Sequence, residues 1–143
     1  MSPRSRPALT ALIVLLAATL ASSCQADAGS DRTSFDPPRG DRARRAHAAV
    51  AGLCEAIERA GDRPAARTVF YNQSHDGLHT LNAIVEARDR KIAARLAEAK
   101  NTVETAFLYP DQNSQLKAHL AALLTAATDA LTASGIQPPA CAQ

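Results

Sequence analysis

Residues 87–91, ARDRK, decide the fold. They lie between two apolar stripes yet contain neither Pro nor Gly, so the chain either breaks there or continues as one helix. A helix running unbroken from residue 63 to 108 would be about 70 Å long at 1.5 Å per residue, more than a small domain can cover. The expectation is a break at this stretch, with Asp89 capping the helix that follows. A three-helix form, with the second and third helices continuous, is the alternative.

Outward from this point the pattern is helical on both sides. Upstream, Asp62 is cap-like and Pro64 falls in a first turn, where its missing N–H costs little. A second helix to about Ala87 then carries Phe70, Leu78, Leu81 and Val85 on one face. Gly77 sits in its middle at a cost of about 1 kcal/mol relative to Ala, unless a neighbouring helix needs the space. A first helix spans about Asp41 to Ala60, with Asp41 as N-cap, Gly61 as stop, and Val50, Leu53, Cys54 and Ile57 facing inward. Downstream, Ile92, Leu96, Val103 and Phe107 form the third stripe, and YPDQNS (109–114) reads as a turn. A fourth helix from about Ser114 to Ser134 turns Leu116, Leu120, Leu123, Leu124 and Leu131 inward and stops at Gly135. β-Branched and aromatic residues never alternate as strands require. The expected fold is all-α: an antiparallel up-down-up-down four-helix bundle over residues 41–143.

The first residues, MSPRSRPALTALIVLLAATLASSC, read as a targeting segment. Arg4 and Arg6 precede an uncharged apolar run from Ala8 to Ala21. That run is about 14 residues, shorter than the roughly 20 that span a bilayer, and suits the h-region of a signal peptide. Leu20-Ala21-Ser22-Ser23-Cys24 resembles the lipobox of bacterial lipoproteins. The resemblance covers only the leader, and implies cleavage after residue 23 and a diacylglycerol on Cys24. An ordinary secretory signal, cut near ASS or QADA, is the alternative. Residues 24–40, with Gly, Ser, Asp and a Pro-Pro pair, read as a disordered tether. The implied location is the extracytoplasmic face of the cell membrane, held by the lipid anchor, since two acyl chains suffice for stable attachment.

Of three cysteines, lipidation of Cys24 would leave Cys54 and Cys141, which allow a single disulfide. Export favours its persistence. Closing a loop of about 90 residues is worth roughly 4 kcal/mol in the chain-entropy view. Neither cysteine has a CxxC partner, so zinc ribbons, thioredoxin-like redox chemistry and covalent haem attachment lack their signature. The formal charge of +2 resides in the leader: without Arg4 and Arg6 there are 14 basic and 14 acidic residues. A neutral mature chain carries no electrostatic footprint for nucleic acid.

His75 and His79, in SHDGLH, are one turn apart, so both imidazoles can reach one metal ion. Glu86 lies on the same side. Reflecting residue numbers about each loop places His47 level with about residue 78, and His119 within a turn of that height. The chemical expectation is therefore a site for Zn, Cu, Fe or haem, with His75 and His79 at its centre and His47, His119 or Glu86 completing it. The plain alternative is a solvated helix face, with the domain serving as a non-catalytic module that docks to an envelope protein. Glu98, Lys100 and Glu104 read as a solvated face of the third helix. Ser74-His75-Asp76 are neighbours on a helix and point apart, so they form no triad. No other catalytic constellation stands out, and a monomeric non-enzyme is expected. If the lipobox reading holds, bacteria expressing the full chain incorporate labelled palmitate into it, and Cys24→Ser abolishes the label. Label retained on the Cys24→Ser chain would rule out that attachment point.

Overall fold

In a computed structural model, residues 40–109 and 115–141 are described. The leader (1–23), Cys24, tether residues 24–39, residues 110–114 of the expected turn and the expected helix start at Ser114 lie outside them. Among the described residues the structure is all-helical, with no strand. The helices are α1 (Asp41–Glu58), α2 (Arg63–Val69), α3 (His75–Glu86), α4 (Arg90–Leu108) and α5 (Leu116–Ala133). A π-helical turn, Phe70–Ser74, joins α2 to α3 in one rod, so the described chain makes four rods.

The break at ARDRK is present, and Asp89 causes it. Its backbone is extended, and its carboxylate accepts from the amides of Lys91 (2.8 Å) and Ile92 (3.1 Å). Two otherwise orphan N–H groups are thereby satisfied. Asp62 does the same for α2, accepting from Ala65 N at 3.1 Å with a proline in the first turn. At α1 the cap differs from expectation: Gly40, at φ 75°, is the N-cap, and Asp41 is the first helical residue, ion-paired with Arg44. α1 also ends at Glu58, earlier than Ala60, through Arg59 N–H to Glu55 O and Ala60 N–H to Ile57 O. Gly61 therefore plays no part in the last helical turn. Gly135 does stop α5. At φ 70° it lets Gly135 N–H reach Thr132 O (3.0 Å) and Ile136 N–H reach Leu131 O (2.9 Å), a Schellman closure.

The expected apolar stripes all face the core, with Cys54, Ile57, Ile92 and Leu124 only partly buried. Between the large residues sit Ala46, Ala49, Ala56, Ala66, Ala93, Ala106, Ala127 and Ala130, all buried. Small side chains let the rods approach closely. The approach is tightest where α1 meets the second rod. A Cβ on Gly77 would lie 2.5 Å from Ala49 Cβ and 2.6 Å from Arg45 O, and one on Gly52 would lie 2.7 Å from Ser74 Oγ.

Two arginines tie distant rods together. Arg63 donates to Ala106 O (2.8 Å) and Phe107 O (2.7 Å), and Arg88 to Ala133 O (2.6 Å). α4 and α5 carry no basic residue in their own last turns. Their exposed carbonyls and negative dipole ends are met by cations from another rod. Cys54 and Cys141 lie at disulfide distance with Cα atoms 5.5 Å apart, so the tail after Gly135 returns to the middle of α1.

Gly77→Ala should gain about 1 kcal/mol of helix propensity but force α1 and α3 apart, since a backbone carbonyl cannot step aside. Overpacking of this kind costs about 1–3 kcal/mol, so the net result is loss of stability in urea denaturation. Gly61→Ala, where nothing lies within 4 Å of the added carbon, should be neutral or stabilising. Equal midpoints for the two variants would contradict the close-packing account.

Candidate functional site

α2, the π-turn and α3 present a column of four residues toward α4. The Arg67 guanidinium lies 5.7 Å from the Tyr71 ring centroid. Tyr71 and His75 are 5.3 Å apart by centroid, and His75 and His79 are 4.8 Å apart edge to face. In an ordinary α-helix an i, i+4 series drifts steadily around the axis. The wider π-turn, closed by His75 N–H to Phe70 O, turns that drift back and keeps the column in line. Along it Phe70 is buried against Phe107 (5.4 Å) while Tyr71 is 37% exposed, the two adjacent rings 5.2 Å apart edge to face. Single π-turns of this kind are frequent at functional sites.

α4 supplies the facing groups. His75 Nε2 is 3.0 Å from Glu104 Oε1, and His75 Nδ1 is 3.1 Å from Asp76 Oδ1. Lys100 donates to the same Glu104 oxygen at 2.8 Å. Lys100 and Glu104 do not form the solvated face expected of them. Lys100 is only 9% exposed and Glu104 is partly buried. Lys100 occupies the stripe of Leu96, Val103 and Phe107, spaced i, i+4, i+7, i+11, and buries its methylenes while its ammonium reaches the carboxylate. That spacing was the signal in the sequence; charge alone pointed the other way.

The expected ligand set divides. His75 and His79 adjoin, as their spacing required. His47 is exposed on α1, Glu86 is exposed at the end of α3, and His119 is partly buried on α5. None of these three is hydrogen-bonded or ion-paired to His75 or His79. Among the described residues, no three His, Cys, Asp or Glu side chains converge on a point that could hold a metal ion. His47 lies level with Gly77, close to the height expected of it, since Gly77 packs on Arg45 and Ala49, which flank His47. It is orientation around α1 that turns the His47 ring away.

Two recesses flank the column. At one end a groove of about 660 Å³ runs between the start of the second rod and the end of α4, lined by Arg63, Arg67, Tyr71, Asn72, Phe107 and Leu108 among others. At the other a smaller recess of about 240 Å³ is lined by His79, Asn82, Leu96, Lys100 and Asn101. Asn82 Oδ1 is buried there without a hydrogen-bond partner, as is Ser74 Oγ where the π-turn meets α1. Among the described residues no helix is long and apolar enough to cross a membrane.

Desolvation, then the Lys100 ammonium and the His75 ring, hold the His79 pKa below the ordinary histidine value; Glu104 and Asp76 oppose them. On balance these influences favour the neutral His79 imidazole over its charged form. A histidine depressed in the folded state stabilises the fold fully above its unfolded pKa of about 6.5. That contribution is lost as pH falls through the folded value. Lys100→Met is expected to move the His79 NMR titration midpoint upward and Glu104→Gln to move it downward. A midpoint indifferent to both would dissociate His79 from the α4 pair.

Comparison with known proteins finds no matching family model, no matching curated protein and no matching solved structure.

Proposed function

We propose that this chain is a membrane-anchored envelope lipoprotein whose helical domain is a non-catalytic docking module, engaging an envelope protein through the groove between α2 and α4. The observation that carries this reading is the gathering of exposed apolar side chains at one place. The large hydrophobic residues most open to solvent among those described are Tyr71, Leu108 (64%) and Tyr109 (59%). Tyr71 and Leu108 line the same groove, and Tyr109 ends α4 beside it. Solvent-facing apolar groups that cluster, with polar neighbours at the rim, mark contact surfaces.

The proposed architecture is an antiparallel up-down-up-down bundle. Supporting it, Gly52 late in α1 meets the π-turn while Gly77, further along, meets Arg45 and Ala49. Arg63 at the start of the second rod meets the last residues of α4. In this arrangement the groove stands at the end of α1 remote from residue 40, about 27 Å along the helix axis. With Cys24 lipidated and residues 25–40 acting as tether, the domain is held at the membrane surface, within reach of an envelope partner.

Metal binding is the second reading, favoured by one geometry. His75 Nε2 and Glu104 Oε1 are 3.0 Å apart with His79 alongside, and two imidazoles with a carboxylate are a known zinc donor set. Against it, Lys100 already supplies Glu104 with a cation, and each His75 nitrogen faces a carboxylate.

Calorimetric titration with Zn²⁺, Cu²⁺ and haem separates the readings. Docking expects the wild type and a His75→Ala/His79→Ala variant to give the same heat. One-to-one binding of at least micromolar affinity, lost in the variant, would make the histidines the site and displace the groove.

A further inference from the structure

We infer that the groove selects an acidic, apolar peptide segment of its partner, in which a carboxylate lies within a residue or two of a leucine or aromatic side chain. This rests on the docking reading and adds the chemistry of the occupant. The floor is apolar: Phe107 is buried beneath, and Tyr71 and Leu108 form exposed walls. Among the described residues the charge on the rim has one sign: Arg63 and Arg67 line the groove and no carboxylate does.

The two arginines differ in availability. Arg63 is committed to the Ala106 and Phe107 carbonyls, so it builds the wall and offsets the negative end of α4. Arg67 is exposed, has no carboxylate partner among the described residues and rests over the Tyr71 ring at 5.7 Å. The ring holds the guanidinium at the groove edge and leaves its N–H fork free, the geometry that pairs bidentately with a carboxylate. Glu104, on the same seam, is engaged by His75 and Lys100 and does not line the groove. An incoming anion therefore meets Arg67 without a competing acidic group on the lining. A recess of about 660 Å³ has the volume of a small-ligand site. A peptide fills it with two side chains while its backbone stays in water along the open side.

Fluorescence anisotropy with the purified full chain tests this on three labelled peptides: GSDLFDSG, its amide twin GSNLFNSG and its basic twin GSKLFKSG. The acidic peptide is expected to bind at least tenfold tighter than either twin, with the advantage shrinking in 0.5 M salt, as an exposed ion pair requires. Arg67→Glu should reverse the order in favour of the basic twin. Arg95→Glu, exposed on α4 away from the groove, should leave it unchanged. Leu108→Ala should weaken all three peptides alike. Equal affinity for the acidic and amide peptides would overturn the charge selection while leaving docking intact. A preference that survives Arg67→Glu would overturn it too. No binding by any peptide at millimolar concentration would remove the docking reading and this inference together.

Discussion

The contact between α1 and the second rod fixes the rest of the molecule. It closes at Gly52 and Gly77, where an added Cβ would overlap a serine hydroxyl in one case and a backbone carbonyl in the other. Interiors pack at crystal-like density, so two such points set both the height and the rotation of the rod against α1. With rotation fixed, Phe70, Leu78, Leu81 and Val85 face inward and Arg67, Tyr71, His75 and His79 face the α4 side. The column of Arg67, Tyr71, His75 and His79 is thus the rim of a packing interface whose tolerance is a fraction of an ångström.

The π-turn reconciles two demands on that rod. Its α2 half must place Ala66 and Phe70 in the core, and its α3 half must place Gly77 against Ala49. One widened turn adjusts the phase between them. Its cost is visible in Ser74, whose hydroxyl is buried without a partner, a loss of about 1–3 kcal/mol for a stranded polar group. Along the turn Phe70 anchors the core while Tyr71 forms a groove wall. Packing and surface chemistry are therefore coupled in five residues, FYNQS.

Charged side chains act in this domain as connectors between rods. Arg63 and Arg88 close helix ends to which they do not belong, and Lys100 and Glu104 bind the histidine face to α4. Hydrogen bonds from a charged donor to carbonyls are worth about 1.5–3 kcal/mol each, comparable to burying a leucine. In a core rich in alanine, where each residue buries little area, such ties carry a larger share of the specificity. They also leave His75, Lys100 and Glu104 engaged with one another, and among the described residues no three metal-ligating groups converge beside them.

The sequence by itself determined the apolar stripes, favoured a break at Asp89 over a continuous second and third helix and, with Cys24 set aside by the lipobox reading, left Cys54 and Cys141 to pair. These follow from local rules: cap chemistry, the 3.6-residue period and the arithmetic of three cysteines. The adjacency of His75 and His79 is equally local. Tertiary structure decided what each helix face meets. Reflecting numbers about loops gives height along the bundle, and His47 does lie at the level of Gly77. Height says nothing of azimuth, which is set by where glycines and alanines let rods approach. For that reason His47 and His119 take no part in the His75–His79 contact, while Lys100 and Glu104, which charge alone assigns to solvent, are drawn against it. The groove was the least legible feature. It joins residues about forty positions apart, and no period in a single helix encodes the meeting of Arg67 and Tyr71 with Phe107 and Leu108.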